Sequence, residues 1–300
     1  MSSDEMNPSA GRPLGPGAVA WMLMLCLSWG FNQIAVKLTL PDVPPMLQAM
    51  IRSAGALPVL LLIARLRGVR MFERDGTLGA GLFAGLLFGL EFVLLFHGLK
   101  LTSASRAVVF LYTAPFFVAL GSYQFLGERL RASQWGGLGL SFAGVALAIG
   151  VPQANVDARV LLVVKTTSLL RAPPEKALGY QVAVSVPILG FAAWIWGETL
   201  TRVPGPLALS LMAYQAIWVV GLTFLLWFGL VKTYSASKLS AFTFITPLFG
   251  VVASYFILHD TLTTAFGAAA LLVIAGLYLV NRPSPVIPVA IDPLLNVTKT

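Results

Sequence analysis

The sequence predicts an all-α, polytopic membrane protein: two inverted five-helix repeats, ten transmembrane helices with the sixth shortened, around a central cavity. Three observations support this prediction of the fold class. Hydrophobic residues make up 57% of the 300 residues and charged residues only 11%, whereas a soluble domain carries about 25% charged residues. Apolar runs near the roughly 20 residues that cross a bilayer recur along the chain. One motif occurs twice at a fixed spacing.

The repeated motif is a Ser-Ala-Ser triplet followed by a proline, a tyrosine and an acid. Its two copies are separated by 132 positions at every member: Ser103-Ala104-Ser105, Pro115, Tyr123 and Glu128, then Ser235-Ala236-Ser237, Pro247, Tyr255 and Asp260. Gly144 and Gly276 share this offset, and Pro58 and Pro187 are 129 apart. Duplication in so apolar a chain is typical of small-molecule transporters.

Nine apolar runs are long enough to be predicted as membrane helices. They are residues 17–38, 46–64, 78–99, 104–126, 134–151, 177–197, 205–230, 236–258 and 262–281. A tenth run, 160–170, rises only about 16 Å as a helix, and we expect it to be a shortened sixth helix. A nine-helix protein with its C-terminus on the far side is the alternative. The predicted units are tails 1–16 and 283–300, and repeats 17–151 and 152–282.

The charges of the loops predict that the two repeats are inverted. Loop 65–75 carries four arginines, but its counterpart 198–204 has only Glu198 and Arg202. Loop 127–133 is also basic, whereas its counterpart His259-Asp260 has no Lys or Arg. In the second repeat the basic loop is instead 171–176, with Arg171 and Lys176. Basic loops stay in the cytoplasm, so we expect a multi-pass membrane protein with both termini cytoplasmic. The net charge of +8 therefore reflects orientation, not nucleic-acid binding.

These features together resemble the drug/metabolite transporter superfamily, in particular its EamA-type ten-helix exporters. The matching residues are Trp29-Gly30-Phe31-Asn32, Lys37, Arg52, both Ser-Ala-Ser and proline motifs, Gly127-Glu128 and Asp260. The resemblance covers residues 17–282 and is greatest to bacterial aromatic amino-acid and metabolite exporters. It implies a basket of helices in the bacterial inner membrane that exports small molecules by alternating access. The chain departs from the family in the short sixth helix, a segment that lines the family's cavity.

Two pairs of residues are predicted to couple or gate the transport cycle. Arg52 and Glu91 lie at similar depths, roughly 10 and 12 Å below the outer helix ends, which predicts an ion pair. That pair is either static or takes up protons through Glu91. Pro115 and Pro247 lie within predicted helices and remove a backbone hydrogen bond, so each is a packing kink or a gating bend.

Cavity-lining residues are predicted from aromatic, amide and hydroxyl groups within apolar runs. Aromatic rings can stack on a substrate, and amides facing lipid would lack hydrogen-bond partners. The predicted substrate-binding residues are Trp29, Asn32, Gln33, His97, Tyr112, Trp218, Phe242 and Thr243. The alternative for His97 is an interfacial histidine, and for the aromatic residues a position facing lipid or the interface. The hydroxyl of Thr243 could instead bond its own helix. Lys37 and Lys165 either reach the interface or bind a substrate carboxylate. Gly81, Gly85 and Gly89 predict close helix packing.

The function predicted is secondary export of small metabolites, most readily aromatic or other neutral amino acids. The alternative within the fold is a multidrug or quaternary-cation exporter, recognised by cation–π contacts. An intramembrane enzyme is disfavoured because two histidines and one cysteine make neither a metal set nor a Cys–His pair; a channel is the third class. We expect no catalytic residue, cofactor or metal. The expected partners are a small-molecule substrate and the lipid bilayer, without nucleic acid, for a monomer or weak dimer.

Overall fold

The computed structural model describes residues 14–101, 114–126, 130–149, 172–259 and 265–281, which form helices and their connecting loops. In chain order the helices are α1 Pro16–Thr39, α2 Pro45–Leu66, α3 Leu78–Leu101, α4 Ala114–Leu126, α5 Ala132–Ile149, α6 Pro174–Ile195, α7 Pro206–Thr233, α8 Ala236–Leu258 and α9 Ala265–Asn281. Five of them, α1, α2, α6, α7 and α8, are long and apolar enough to cross a membrane. The predicted run 160–170 lies outside the described residues.

Proline sets the first residue of four of these helices. Pro16, Pro45, Pro174 and Pro206 each begin a helix, because the first position needs no N–H donor and the ring fixes a helical φ. Helix α6 thus begins three residues before the predicted 177. Lys176, which the sequence placed in a loop, lies in its first turn and is buried.

Helix α8 changes its geometry next to Pro247. It runs as α-helix Ala236–Phe242, 3₁₀ turn Thr243–Ile245 and α-helix Thr246–Leu258. Proline has no N–H for the carbonyl four residues earlier, here that of Thr243. That carbonyl accepts instead from the N–H of Thr246, three residues on. The irregularity is thus a direct consequence of Pro247. Residues 102–113, before Pro115, lie outside the described residues.

Helices α5 and α9 form an antiparallel pair in close contact. Gln134 Nε2 at the start of α5 donates to Val280 O at the end of α9 (2.8 Å). Further along, a Cβ on Gly144 would lie 2.6 Å from Ala269 O. Only glycine permits this approach, because nothing larger than hydrogen fits between the backbones.

Helix α6 packs on both α2 and α3. The predicted glycine row of α3 faces it, and a Cβ on Gly81, Gly85 or Gly89 would come within 2.8 Å of Tyr180, Val184 or Ile188. This confirms the close packing expected of the row, and the matching order of both sets shows that α3 and α6 are parallel. Helix α2 runs antiparallel to α6, because its first residues contact the segment after α6.

Helix α1 packs against both α7 and α8. Cys26 Sγ donates to Phe242 O (3.3 Å), and a Cβ on Gly30 would lie 2.8 Å from Gly250 N, so α1 and α8 are parallel.

Candidate functional site

A hydrogen-bonded aromatic cluster joins α1 to the middle of α7. Trp218 Nε1 donates to Ser28 Oγ (3.1 Å), and Tyr214 OH donates to Ser28 O (3.0 Å). Trp29 Nε1 donates to Thr223 Oγ1 (2.9 Å). The Trp29 ring also packs edge-to-face against Phe224 and Trp227, at 5.9 and 5.6 Å between centroids. The two predicted cavity tryptophans are thus brought to one interface.

The cluster coincides with a π-helical segment, Tyr214–Thr223. A π-helix adds about one residue per turn, is rare, and is often found at functional sites. Here the wider turns bring Tyr214, Trp218 and Thr223 onto α1 together. The sequence did not predict this segment, because its local composition is that of an ordinary apolar helix.

Five buried polar residues lie at one depth in the bundle, and we name them the polar layer. They are Asn32, Arg52, Ser53, Glu91 and Gln215. Contacts between the helices fix this depth. Phe31 packs on Tyr214, with centroids 5.3 Å apart, and Gly55 faces Ala216. The Arg52 guanidinium lies 4.4 Å from the centroid of the Phe92 ring.

Arg52 and Glu91, the predicted ion pair, are both buried and interact electrostatically. Arg52 is only 7% exposed. A charged arginine at this depth is costly unless paired or placed over an aromatic face. The Phe92 ring and the Glu91 charge meet these two conditions. Whether the pair is static or takes part in transport stays a prediction.

Several atoms of the polar layer have unused hydrogen-bonding capacity. Among the described residues, Asn32 Oδ1, Arg52 Nε, Ser53 Oγ and both amide atoms of Gln215 have no hydrogen-bond partner. An unpaired buried polar group costs about 1–3 kcal/mol. Such groups need a reason, and water or a polar ligand would satisfy them. Sequence reasoning missed Ser53 and Gln215. An isolated amide within the apolar run 205–230 is the signal that could have identified Gln215.

The interior face of α1 is exposed toward the C-terminal end of this helix. Met22, Cys26 and Gly30, spaced by four residues, are buried on it. Gln33 and Lys37 continue the same stripe, three and seven residues on, and both are exposed. Helical periodicity keeps these residues on one face. Gln33, which was predicted to bind substrate, therefore lies where this face is exposed. So does Lys37, which was predicted either to reach the interface or to bind a substrate carboxylate.

The remaining predicted cavity residues have different surroundings. Phe242 is buried in the main hydrophobic core. Thr243 Oγ1 donates to Ser240 O (2.6 Å), the bond to its own helix that the sequence left open. The side chain of His97, and Tyr112 and Lys165 as a whole, lie outside the described residues. Their roles stay predictions.

Ion pairs connect the helices at the end of the bundle where α2 finishes, and we name these residues the basic-end cluster. Arg67 Nη1 binds Glu175 Oε1 and Lys176 Nζ binds Asp75 Oδ2, both at 2.7 Å. Lys176 is 1% exposed and also donates to Glu73 O (2.7 Å). Hydrogen bonds from Lys176 and then Thr77 hold the pKa of Asp75 well below its ordinary value.

A second group of contacts joins the opposite end. Glu198 Oε2 accepts the backbone N–H groups of Met46 (2.8 Å) and Leu47 (3.0 Å), which are unpaired donors at the start of α2. Asp42 accepts from Gly205 N (2.9 Å) and pairs with Arg202. The Gly205 N–H, and then Arg202, lower the pKa of Asp42. Helices α2 and α6 are therefore held together at both ends.

Comparisons with known proteins agree with this architecture. A solved crystal structure superposes with a TM-score of 0.71 at 19% identity, covering 88% of this chain and 97% of that one, which shows a shared fold. The transporter YvbV of Bacillus subtilis (strain 168), described as uncharacterized, is 30% identical over 286 residues, 88% of this chain and 91% of its own length.

A probable amino-acid metabolite efflux pump of Salmonella typhimurium is 26% identical over 287 residues, 86% of this chain and 92% of its own. A protein of the same description in Escherichia coli (strain K12) is 24% identical. The model of the EamA-like transporter family matches residues 16–150 and 160–282. The narrower resemblance to aromatic amino-acid exporters stays a prediction. This multi-pass membrane protein belongs to the EamA-like transporter family.

Proposed function

We propose that the protein is an inner-membrane secondary exporter of small zwitterionic metabolites of the amino-acid class. The observation that carries this proposal is the polar layer within an apolar bundle. It holds a buried arginine and amide and hydroxyl groups that have no partner among the described residues. Polar groups at such depth in a transporter mark a substrate or ion path. Two relatives described as amino-acid metabolite efflux pumps support the substrate class.

Contacts related by the sequence offsets support two inverted repeats. Gly89 of α3 faces Ile188 of α6, and Gly221 of α7 faces Val59 of α2. Adding 132 to 89 gives 221, and subtracting 129 from 188 gives 59, so one contact is the repeat image of the other. Both offsets are those of the repeated motifs.

The pair α5 and α9 has the same property. Gly137 faces Gly276, and Gly144 faces Ala269; an offset of 132 converts the first contact into the second. Ser141 Oγ donates to Val273 O (3.4 Å), and these two residues are also 132 apart. Because the pair is antiparallel, the operation that exchanges its members inverts the helices.

We propose ten crossings rather than nine. The exchange of basic loops between the two repeats supports this count, because repeats with an odd number of helices lie inverted in the membrane.

The polar layer suits a carboxylate and an ammonium group together. Arg52 is the donor for a carboxylate, as guanidinium–carboxylate hydrogen bonds are among the stronger ones in proteins. Glu91 competes with the substrate for Arg52 while it is ionised. Protonation of Glu91 would free Arg52, so proton uptake and substrate binding would be linked. The Oδ1 of Asn32 is an acceptor for the ammonium group. A buried arginine disfavours a permanently cationic drug.

Counterflow in proteoliposomes tests the proposal. Vesicles loaded with unlabelled neutral amino acid are diluted into trace labelled amino acid, and an aromatic and an aliphatic one are compared with a tetraphenylphosphonium cation. We expect saturable, trans-stimulated accumulation of the amino acids only. Accumulation of the cation alone would contradict the substrate class. Uptake without trans-stimulation would indicate a channel and contradict alternating access.

A further inference from the structure

An open groove beside the end of α2 combines cations with an apolar floor. Leu61, Val69, Met71 and Phe72 supply the floor, around a volume of about 640 Å³, and two arginines and one acid, Arg65, Arg70 and Glu73, stand beside it. Phe72 is 91% exposed and the neighbouring Leu66 is 78% exposed. Large apolar side chains so exposed next to arginines are typical of the boundary between acyl chains and head groups.

The cations of the groove are not used up by acids of the protein. Arg67 and Lys176 neutralise Glu175 and Asp75 in the basic-end cluster. Arg70 makes only a loose, exposed contact with Glu73, at 3.8 Å. Among the described residues, Arg65 and Arg74 make no ion pair. The groove therefore keeps an excess of positive charge for an anionic ligand.

The groove belongs to an ordered part of the fold. Val69 N donates to Ala64 O (2.8 Å) and Arg67 N to Ile63 O (2.9 Å), which closes the end of α2. Lys176 holds the following segment through Glu73 O and Asp75. A ligand in the groove would thus contact a segment that connects α2, α3 and α6.

From these observations we propose that the groove binds an anionic glycerophospholipid of the leaflet at this end of the bundle. Its phosphate lies between Arg65 and Arg70, and an acyl chain covers Leu61, Met71 and Phe72. Basic pockets at the cytoplasmic side of membrane helices bind such head groups. The proposal is independent of the transported substrate. It predicts that anionic lipid stabilises the connection between α2, α3 and α6.

Thermal unfolding of the detergent-purified full chain tests this proposal. The unfolding midpoint is followed as dioleoyl phosphatidylglycerol is added, with dioleoyl phosphatidylcholine as the neutral reference. We expect phosphatidylglycerol alone to raise the midpoint, saturably. An arginine near an anionic lipid contributes roughly fivefold in affinity, so Arg65→Gln with Arg70→Gln should weaken the apparent affinity about 25-fold. The matched control is Arg131→Gln, an exposed arginine outside the groove.

Three outcomes would overturn the proposal. They are equal stabilisation by both lipids, an equal loss of affinity in the Arg131→Gln control, and stabilisation accompanied by dimer formation in size-exclusion chromatography. The last would assign the groove to a second copy of the chain. If the double variant is unfolded without lipid, Phe72→Ser replaces it. This variant keeps both charges, and we expect it to bind phosphatidylglycerol about tenfold more weakly because the apolar contact is lost. Unchanged binding would also overturn the proposal.

Discussion

Replacing Gly276 by alanine should separate α5 from α9. The added Cβ would lie 2.2 Å from Ser141 Oγ, 2.4 Å from Gly137 O and 2.6 Å from Ser141 N. Two of these atoms are backbone and cannot rotate away, so the helices themselves have to move apart. Gly267, on the same helix, has open space at its Cβ position. The pair Gly276→Ala and Gly267→Ala therefore differs in packing but not in chemistry.

The magnitude follows from two opposing contributions. Overpacking of a close contact costs about 1–3 kcal/mol, and alanine gains about 0.5–1 kcal/mol over glycine within a helix. Gly267→Ala receives only the gain. Gly276→Ala receives both, so the difference between the variants isolates the overpacking cost, about 1–3 kcal/mol, in favour of Gly267→Ala.

The assay is thermal unfolding of both variants and the wild type in one detergent, with the yield of monodisperse protein as a second reading. We expect Gly276→Ala to unfold several degrees below Gly267→Ala. Equal midpoints would refute the antiparallel contact of α5 and α9, and with it the strongest support for the inverted repeat.

Three further predictions concern the helix ends and α8. Asp75→Asn should make the free energy of unfolding less dependent on pH in acid. The lowered pKa of Asp75 beside Lys176 stabilises the wild type above the ordinary pKa near 3.9, and this stabilisation is lost as the pH falls. The same pH dependence in variant and wild type between pH 6 and 3 would contradict the ion pair. Glu198→Ala should cost about 1–2 kcal/mol of unfolding free energy, because two N–H groups at the start of α2 lose their acceptor; a chemical-denaturation midpoint equal to that of the wild type would exclude this capping role. Pro247→Ala should restore the hydrogen bond to Thr243 O, raise the unfolding temperature and slow counterflow, whereas undiminished counterflow would leave Pro247 a packing kink.

The sequence predicted the bounds of those helices that are long apolar runs beginning at or beside a proline. Pro206–Thr233 was expected at 205–230, and Pro16–Thr39 at 17–38. The glycine row of α3 was correctly interpreted as a packing surface. Depth counted from the helix ends also placed Arg52 and Glu91 at one level, because rise per residue is nearly constant.

Other features depend on partners far away in the sequence. The π segment is associated with bonds from Tyr214, Trp218 and Trp29 across two helices, which no local pattern records. From the sequence, Lys176 was predicted to be a cation in a loop. In the structure it binds Asp75, a residue 101 positions away that no local pattern connects to it. Gln215 was missed because one amide does not alter the hydropathy of its run, although an isolated amide within an apolar run is itself a signal of a buried polar site.

The most direct test of the transport site is counterflow by Gln215→Leu. Gln215 is fully buried and, within the described part of the chain, neither amide atom has a partner. Replacing it by an apolar side chain of similar size removes an unmet polar cost of about 1–3 kcal/mol, so the fold should become more stable.

If the polar layer binds the substrate, the same change should lower the initial rate of neutral amino-acid counterflow about tenfold, against Ser210→Ala as an exposed control on α7. A variant more stable than the wild type yet poor in counterflow is the result the polar layer predicts. A variant that transports at the wild-type rate would contradict it.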